Sequence, residues 1–594
     1  MEKYCDQFVS WLSDAGYTHC FFVAGGNVMH LVESASKKFI CVPFIHEVGC
    51  TIAAEYFNET SIGANKAFVL VTAGPGLTNT ITGIASAWVE GRELLIVGGQ
   101  AKSSELSGTK YRQIGFQEFD GISLCKSITK ESYLIDRQVE RSEILRLIKL
   151  TGKGRKGPVF LEFCIDISML PADEKLDNQK EFDVETLTSE ILEMPKILSM
   201  LKNSSRPIIL IGGETPRNYD LTDFKRRGIP IATTFNGADR VGIEYEYYAG
   251  RPNWYGSRWS NLILQQADLI IAVGARLGLM QVGYNWKKFA PSAQIVQVFS
   301  DEIEMTKNFP KVDVKIVSES DLFLDRLKQE LEFLDLKSIE GWRMFVVGLR
   351  TELALPESIN VSRAGFIEPL KFVYDLVNTY TNSSDVIIPC SSGEASYVGP
   401  MRMMLNKEGQ KIVTNNAMAS MGYGLSGAIG VSLANSGKRI ILFEGDGGFA
   451  QNLQELSTVK TNNLNIKIFL MNNGGYMSIK QNQKNAFNGH YIGCDSASGL
   501  ELPNWEFIAK AFGVNYFRLD SENLNSSEFL HLLSSKEAIM FDVQIDPEQT
   551  YYPKITSSKN AQGQMESNPI HIMEPLLTET QEKDYFKYIQ SPAT

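Results

Sequence analysis

Three observations predict an α/β protein built of three doubly wound parallel-sheet domains. Short runs rich in Val and Ile recur along the chain, each followed by a glycine-rich turn and a helical pattern; parallel strands covered by helices on both faces require that alternation. The runs fall into three groups divided by polar stretches. A chain of 594 residues also exceeds what one hydrophobic core usually holds.

The first group holds the apolar runs 21–23, 67–71, 94–97 and 159–164. The second holds 208–211, 229–232, 269–273 and 295–298, and the third 386–388, 440–443, 466–471 and 539–543. A polar linker at 171–181 separates the first two groups, and a less distinct one at 354–363 follows a charged helix expected at 322–334. From Thr550 the chain is rich in Pro, Ser and Asn, and an irregular arm lying on the body of the protein is expected, with 551–577 a candidate lid. The expected division is 1–170, 185–340, 360–550 and an arm at 551–594.

Composition narrows the function classes. Hydrophobic residues make up 43%, ordinary for a globular protein, and no apolar run is long enough to span a bilayer. The opening Met1-Glu2-Lys3-Tyr4 lacks the basic-then-apolar pattern of a signal peptide, so a cytoplasmic protein is expected. A net charge of −11 argues against nucleic acid as a partner, and the basic run Lys153-Gly154-Arg155-Lys156 reads as a solvated loop. Eight cysteines at 5, 20, 41, 50, 125, 164, 390 and 494 form no CxxC pair, so buried, reduced thiols are expected and not a zinc site.

The segment 439–483 carries the most chemistry. A buried strand ends in Glu444-Gly445-Asp446-Gly447-Gly448, a helix with Phe449, Leu453, Leu456 and Val459 on one face is expected next, and a second strand ends in Asn472-Asn473-Gly474-Gly475-Tyr476. In one βαβ unit, both polar clusters lie at the carboxyl ends of neighbouring strands, where open α/β sheets bind ligands. Asp446 offers a carboxylate oxygen and Asn473 an amide oxygen, the hard donors magnesium prefers when it shares a phosphate. Glycines let backbone approach a diphosphate, and a helix start after Gly448 would add amide donors. Either turn alone is only a turn. Together, with 24 residues between Gly447 and Asn472, they point to a metal-diphosphate site.

Gly445-Asp446-Gly447 followed by Asn472-Asn473 resembles the signature of thiamine-diphosphate (ThDP)-dependent enzymes. The resemblance implies that Asp446, Asn473 and the Gly475 carbonyl hold Mg2+, and that Gly445, Gly447, Gly448, Tyr476 and Met477 line the cofactor. It extends over residues 3–547 and implies pyrimidine-binding, central and diphosphate-binding domains in that order. His46-Glu47-Val48-Gly49-Cys50, after an expected strand at 41–45, is similar to the family's glutamate motif, making Glu47 the carboxylate that activates the pyrimidine. Glu55, two helical turns on, reads as structural, and His46 as either packed or substrate-orienting. Thr72-Ala73-Gly74-Pro75-Gly76-Leu77-Thr78-Asn79 is similar to the family's TSGPGATN turn, placing Thr72, Pro75, Gly76 and Asn79 at the cofactor; Val23-Ala24-Gly25-Gly26-Asn27 is similar to its VPGGA turn, adding Gly25 and Gly26. Gly115-Phe116-Gln117-Glu118 resembles the AFQE segment of acetolactate synthases, which puts Gln117 on the substrate side. Met418-Ala419-Ser420-Met421-Gly422 resembles the family's wedge segment, in which Met421 would bend thiamine into its V shape while its amide and the Ala419 carbonyl bond the pyrimidine.

The chain most resembles acetolactate synthase large subunits and their homologues in polysaccharide gene clusters. Asn482 stands where acetolactate synthases carry an acceptor-selecting tryptophan, and Arg276-Leu277-Gly278-Leu279-Met280 replaces their RFDDR stretch, so FAD is not expected. The polysaccharide-cluster homologues, some of which join a two-carbon unit from pyruvate to a keto-sugar nucleotide, fit the stretch 473–500 better. The resemblance thus implies a 2-oxo acid decarboxylase and carboligase acting on a carbonyl acceptor, in a homodimer or homotetramer whose active sites lie at the subunit interface. Acetolactate synthase, with FAD and a regulatory subunit, and a non-catalytic homologue are the alternatives. A dinucleotide-dependent dehydrogenase is disfavoured, because no G-x-G-x-x-G follows the first strand. Glu394 and Ser396 lie where relatives contact the diphosphate, and an acid there leaves that contact open.

Overall fold

The computed structural model describes residues 2–61, 65–108, 110–177, 191–334, 338–559 and 562–589. The chain divides into two compact units: one comprises 1–185, 386–392 and 415–543, the other 186–385, 393–414 and 544–594. The expected linker at 171–181 runs into residues outside the described ones from 178 on.

The first unit contains two parallel sheets. In one, β1 (Tyr17–Phe22), β2 (Ile40–Pro43), β3 (Lys66–Val71), β4 (Leu94–Gln100), β5 (Glu131–Ile135) and β6 (Pro158–Cys164) lie in the order β2-β1-β3-β4-β6-β5. Every pairing is parallel. β4 and β6 are buried along their whole length, which is why they read as continuous apolar runs. The chain leaves β1 towards β2 on one side and leaves β3 towards β4 on the other, so the turns after β1 and β3 lie at a topological switch point. The helix Pro75–Glu90 starts with proline in its first turn and stops at left-handed Gly91, φ +72°.

The second sheet of this unit uses β12 (Val386–Pro389), β14 (Ile440–Gly445), β15 (Ile466–Asn472), β16 (Asn515–Leu519) and β17 (Ile539–Gln544), ordered β12-β14-β15-β17-β16. β14 and β15 run parallel with Gly445 level with Met471, so Asp446 and Asn473 leave neighbouring strand ends side by side. The single helix expected across Phe449 to Val459 is broken into a turn at Asp446–Phe449, a 3-10 turn at Leu453–Glu455 and the helix Leu456–Thr461. Asn452 stands at the break with φ −133° and ψ 26°, outside the helical region, and its side-chain amide donates to the Gly422 carbonyl at 2.7 Å. Phe449, Leu456 and Val459 still reach the core.

The other unit has its own parallel sheet. It is formed by β7 (Pro207–Ile211), β8 (Ile231–Thr233), β9 (Leu269–Val273), β10 (Gln294–Phe299) and β11 (Val314–Val317), ordered β11-β10-β9-β7-β8 around an apolar core. The short strand β13 (Lys411–Ile412) also belongs to this unit. The charged helix is Ser320–Leu331, and a further helix, Glu340–Leu353, follows where only an approach to a linker was expected.

The arm packs against the rest of this unit. Ile570 and Met573 are buried. Arg258 donates to the carbonyls of Met573 (3.1 Å) and Pro575 (2.9 Å), Asn261 to that of Ile570 (3.0 Å) and Gln266 to that of Tyr585 (2.8 Å). Among the described residues no helix is long and apolar enough to cross a membrane.

Candidate active site

At the switch point the residues of the first sheet predicted from sequence meet. Gly25 backs onto Thr72: a Cβ on it would lie 2.7 Å from Thr72 Oγ1, and that hydroxyl accepts the Asn27 N–H at 3.3 Å. Gly76 presses on the other side of Thr72, where its Cβ would stand 2.9 Å from Cγ2. Gly26 has open space around it, so its backbone is approachable. Pro75 opens the next helix, and Asn79, one turn in, donates to Glu47 Oε2 at 3.0 Å.

Glu47 is buried and is the first residue of the helix Glu47–Thr60. The observed β2 ends at Pro43, earlier than expected, which leaves three residues to turn into that helix. His46 Nδ1 is buried with no partner. Gln117 is half-buried and adopts φ +60°, in the left-handed region that glycine favours.

The second sheet supplies the other half. Asp446 is buried; its Oδ1 accepts the Gly447 N–H (2.7 Å) and its Oδ2 those of Gly474 (2.8 Å) and Gly475 (3.0 Å). Burial pushes this carboxyl up to about 7, against the pull of those amides. The Asn473 amide oxygen is buried without a partner among the described residues. Among the described residues no group of three His, Cys, Asp or Glu gathers as a metal site. What the turn offers is one carboxylate and an unsatisfied neutral oxygen, a donor set suited to a hard cation that takes its remaining ligands from phosphate and water. Gly475 has φ +141°, and a Cβ there would collide with the Cys494 carbonyl. Tyr476 lies over Gly447, whose missing side chain makes room for the ring. Met477 begins the helix Met477–Ala486, on which Asn482 is exposed.

Met421 joins this group, since a Cβ on Gly448 would lie 3.9 Å from its own Cβ. It is 37% exposed, unlike a core methionine. Ala419 is left-handed at φ +50° and donates its N–H to Asn415 Oδ1 at 3.2 Å. The helix start expected after Gly448 falls instead at Asp446 and lasts one turn, which weakens any dipole contribution.

The contacts that join the two halves run through side chains outside the predicted set. Glu455 Oε1 accepts the His46 N–H at 3.0 Å, and Gly49 leaves room for it, its Cβ position being 2.8 Å from that oxygen. Burial raises the Glu455 carboxyl, opposed by Thr458 and by the amides of His46 and Ile45. Glu444 accepts the Leu425 N–H at 3.0 Å at the start of the helix Tyr423–Ala434, and burial pushes it up to about 8. Glu90 accepts the N–H groups of Asn416 and Ala417, each at 2.5 Å. Glu55 is structural, as expected: buried, it pairs with Arg92 at 2.7 Å and receives the Tyr423 hydroxyl at 3.2 Å. The only sequence signal for Glu444 and Glu455 was an acid placed among core positions. Glu394 and Ser396 belong to the other unit, where Glu394 faces Lys554 at 3.9 Å. All eight cysteines are free thiols, seven of them buried and Cys41 partly so.

Comparison with known proteins agrees with this arrangement. The family models for the thiamine pyrophosphate enzyme N-terminal TPP binding domain, central domain and C-terminal TPP binding domain match residues 2–124, 194–327 and 396–543. The acetolactate synthase large subunit of Lactococcus lactis is 28% identical over 566 residues, 92% of each chain. The acetolactate synthase isozyme 1 large subunit of Escherichia coli is 26% identical over 558 residues, 92% of this chain and 94% of its own. Among solved structures, the Rhodococcus jostii thiamine diphosphate-dependent 4-hydroxybenzoylformate decarboxylase superposes with a TM-score of 0.75 over 92% of this chain and 99% of its own; at 17% identity it speaks for the fold. Fold, strand-end site and domain order together define a class of enzymes that use a thiamine cofactor. The chain belongs to the thiamine-diphosphate-dependent enzyme family and resembles its acetolactate synthase large subunits.

Proposed function

We propose that this protein is a ThDP- and Mg2+-dependent 2-oxo acid decarboxylase and carboligase that transfers a two-carbon unit from pyruvate to an aldehyde or ketone acceptor, a class that includes keto-sugar nucleotides. The observation that supports the reading is the Asn473 oxygen, which has no partner among the described residues, beside buried Asp446, a donor pair suited to a hard cation. Asp446, Asn473 and the Gly475 carbonyl would hold Mg2+, while Gly445, Gly447, Gly448, Tyr476 and Met477 border the diphosphate. When bound, ThDP supplies the nucleophilic carbon and the electron sink for decarboxylation.

The chain's own residues then have distinct tasks. Glu47, oriented by the Asn79 amide at 3.0 Å, exchanges a proton with the pyrimidine ring. Gly25, Gly26, Thr72, Pro75 and Gly76 shape the wall beside it. Met421 would support the cofactor, and the Ala419 carbonyl would accept a hydrogen bond from its pyrimidine ring. Gln117 reaches the substrate. The enzyme works in the cytoplasm as a homodimer or homotetramer with interfacial active sites, without FAD, and the division 1–170, 185–340, 360–550 and 551–594 describes its domains.

Acetolactate synthesis is the second reading, favoured by the 92% mutual coverage with the Lactococcus lactis large subunit. Asn482 in place of the acceptor-selecting tryptophan favours the first.

The test is carbon dioxide release from pyruvate with ThDP and Mg2+, comparing wild type with Glu47→Gln. Release that falls by at least about a hundredfold in the variant supports the assignment. Release that Glu47→Gln leaves intact refutes the role of Glu47, and failure to bind ThDP refutes the whole reading.

A further inference from the structure

The loop that carries Gln117 is exposed, yet it is ordered around one buried carboxylate. Ile114 and Phe116 are 57% and 80% exposed, while Glu118 between them and Phe119 is 8% exposed. Glu118 Oε1 accepts the Ser107 N–H at 2.5 Å, and Oε2 accepts those of Ile114 (2.7 Å) and Gly115 (3.0 Å). One side chain thereby ties together three backbone points spread over the loop. Burial alone would raise this carboxyl; the three N–H donors outweigh burial and hold it below the usual carboxylate range. Gln113 Nε2 donates to the Glu118 carbonyl at 3.1 Å, and Gln100, at the end of β4, donates to the Phe119 carbonyl at 2.7 Å.

Inside this frame Gln117 sits at φ +60°, a conformation that costs a non-glycine residue on the order of 1 kcal/mol and persists only where its surroundings impose it. The opposite wall is Gly74, where a Cβ would stand 2.8 Å from the Gln117 carbonyl oxygen. The strained residue is therefore clamped between the Glu118 amide cage and the turn that begins with Thr72.

We propose that Glu118 is a positioning residue that holds Gln117 in its substrate-facing pose, so that the donor acid meets a preformed side-chain amide. The inference rests on the reading of Gln117 as the residue that reaches substrate. A gap of a few tenths of an ångström at such a group costs catalysis without unfolding the protein. Gln at 118 would keep the shape of the side chain but turn NH2 hydrogens toward backbone N–H donors, breaking the cage at one oxygen.

The experiment compares wild type, Gln117→Ala, Glu118→Gln and the double variant as full-length holoenzymes with pyruvate. Glu118→Gln is expected to raise the KM for pyruvate about tenfold, with ThDP affinity and thermal midpoint unchanged, and the double variant to be no worse than Gln117→Ala, as two residues acting through one contact require. Trypsin acting on the cofactor-free protein should cut after Lys110 and Arg112 about tenfold faster in Glu118→Gln, because the cage no longer holds the loop. Glu118→Asp, which keeps the charge, should recover part of both effects; it also carries the comparison if Glu118→Gln is insoluble.

If Gln117→Ala is harmful while Glu118→Gln is silent, or if the two effects multiply, the positioning role is wrong and the reading of Gln117 stands. If Gln117→Ala is itself silent, Gln117 does not face substrate and both fall.

Discussion

Asn473 carries a buried oxygen with no partner among the described residues, and a polar atom in that state is normally destabilising. Asn473→Leu keeps the side chain's approximate shape and removes that cost. The cofactor-free variant should unfold at the same temperature as wild type or slightly higher. Its affinity for Mg2+, followed by ThDP fluorescence quenching during a Mg2+ titration, should fall by at least about tenfold. An unchanged titration would mean that the oxygen serves no cation. Asp446 and Asn473 were legible in the sequence because their spacing fits one βαβ unit. Glu455 was not, because its partner His46 lies 409 residues away, and a lone acid beside core leucines carries no local sign of where it points. Glu118 stands next to Gln117 in the sequence, but nothing in four adjacent letters tells which of two polar side chains turns inward.

Among elements, the helices Glu47–Thr60 and Tyr423–Ala434 make the closest contact in the first unit. Glycine permits it: a Cβ on Gly427 would strike the Tyr56 ring, and one on Gly430 would strike the backbone carbonyl of Ala53. A ring can rotate aside, but a carbonyl inside a helix cannot. Gly430→Ala should therefore cost about 1–3 kcal/mol in urea unfolding, despite alanine's higher helix propensity. Gly348→Ala, in the helix Glu340–Leu353 with open space around it, is the control and should stabilise by up to about 1 kcal/mol. A Gly430→Ala variant as stable as wild type would show that the helices can separate freely. Strands were easier to read than helices here, since buried parallel strands such as β4 and β6 announce themselves as apolar runs. The break after Phe449 was invisible because the apolar period continues through it, while the backbone leaves the helical region at Asn452.

At the scale of the whole chain, three sheets of the expected type and an arm lying on the body of the protein were legible, and the arm's partners were not. Its composition marks it as irregular, but its role as packing for the second unit depends on partners such as Arg258 and Gln266, some three hundred residues upstream. His571 reports on that packing. Burial pushes its imidazole down to about 4, with Phe586 against it at 5.5 Å between ring centroids. Because the folded value lies below the unfolded one near 6.5, the neutral ring's stabilisation is complete above pH 6.5. It drains away as pH falls toward 4, where the unfolded chain takes up the proton first, a loss of about 3 kcal/mol in all. Scanning calorimetry from pH 7 to 4 should show a transition that drops in temperature more steeply in wild type than in His571→Leu. Parallel slopes would contradict the burial of this ring.

The seam between the helices Glu47–Thr60 and Tyr423–Ala434 also sets a timetable for synthesis. Glu55 meets Tyr423 across 368 residues of chain. At roughly 5–20 residues per second of translation, the face bearing Glu55, Tyr56 and Ala53 waits about 20–70 seconds for its cover. During that interval the nascent chain presents apolar surface around a charged pair, Glu55 and Arg92, that the finished protein seals from water. The first sheet is thus made early and completed late, a natural client for a chaperone that binds ribosome-borne chains, and a premature stop anywhere before Tyr423 leaves that face permanently open.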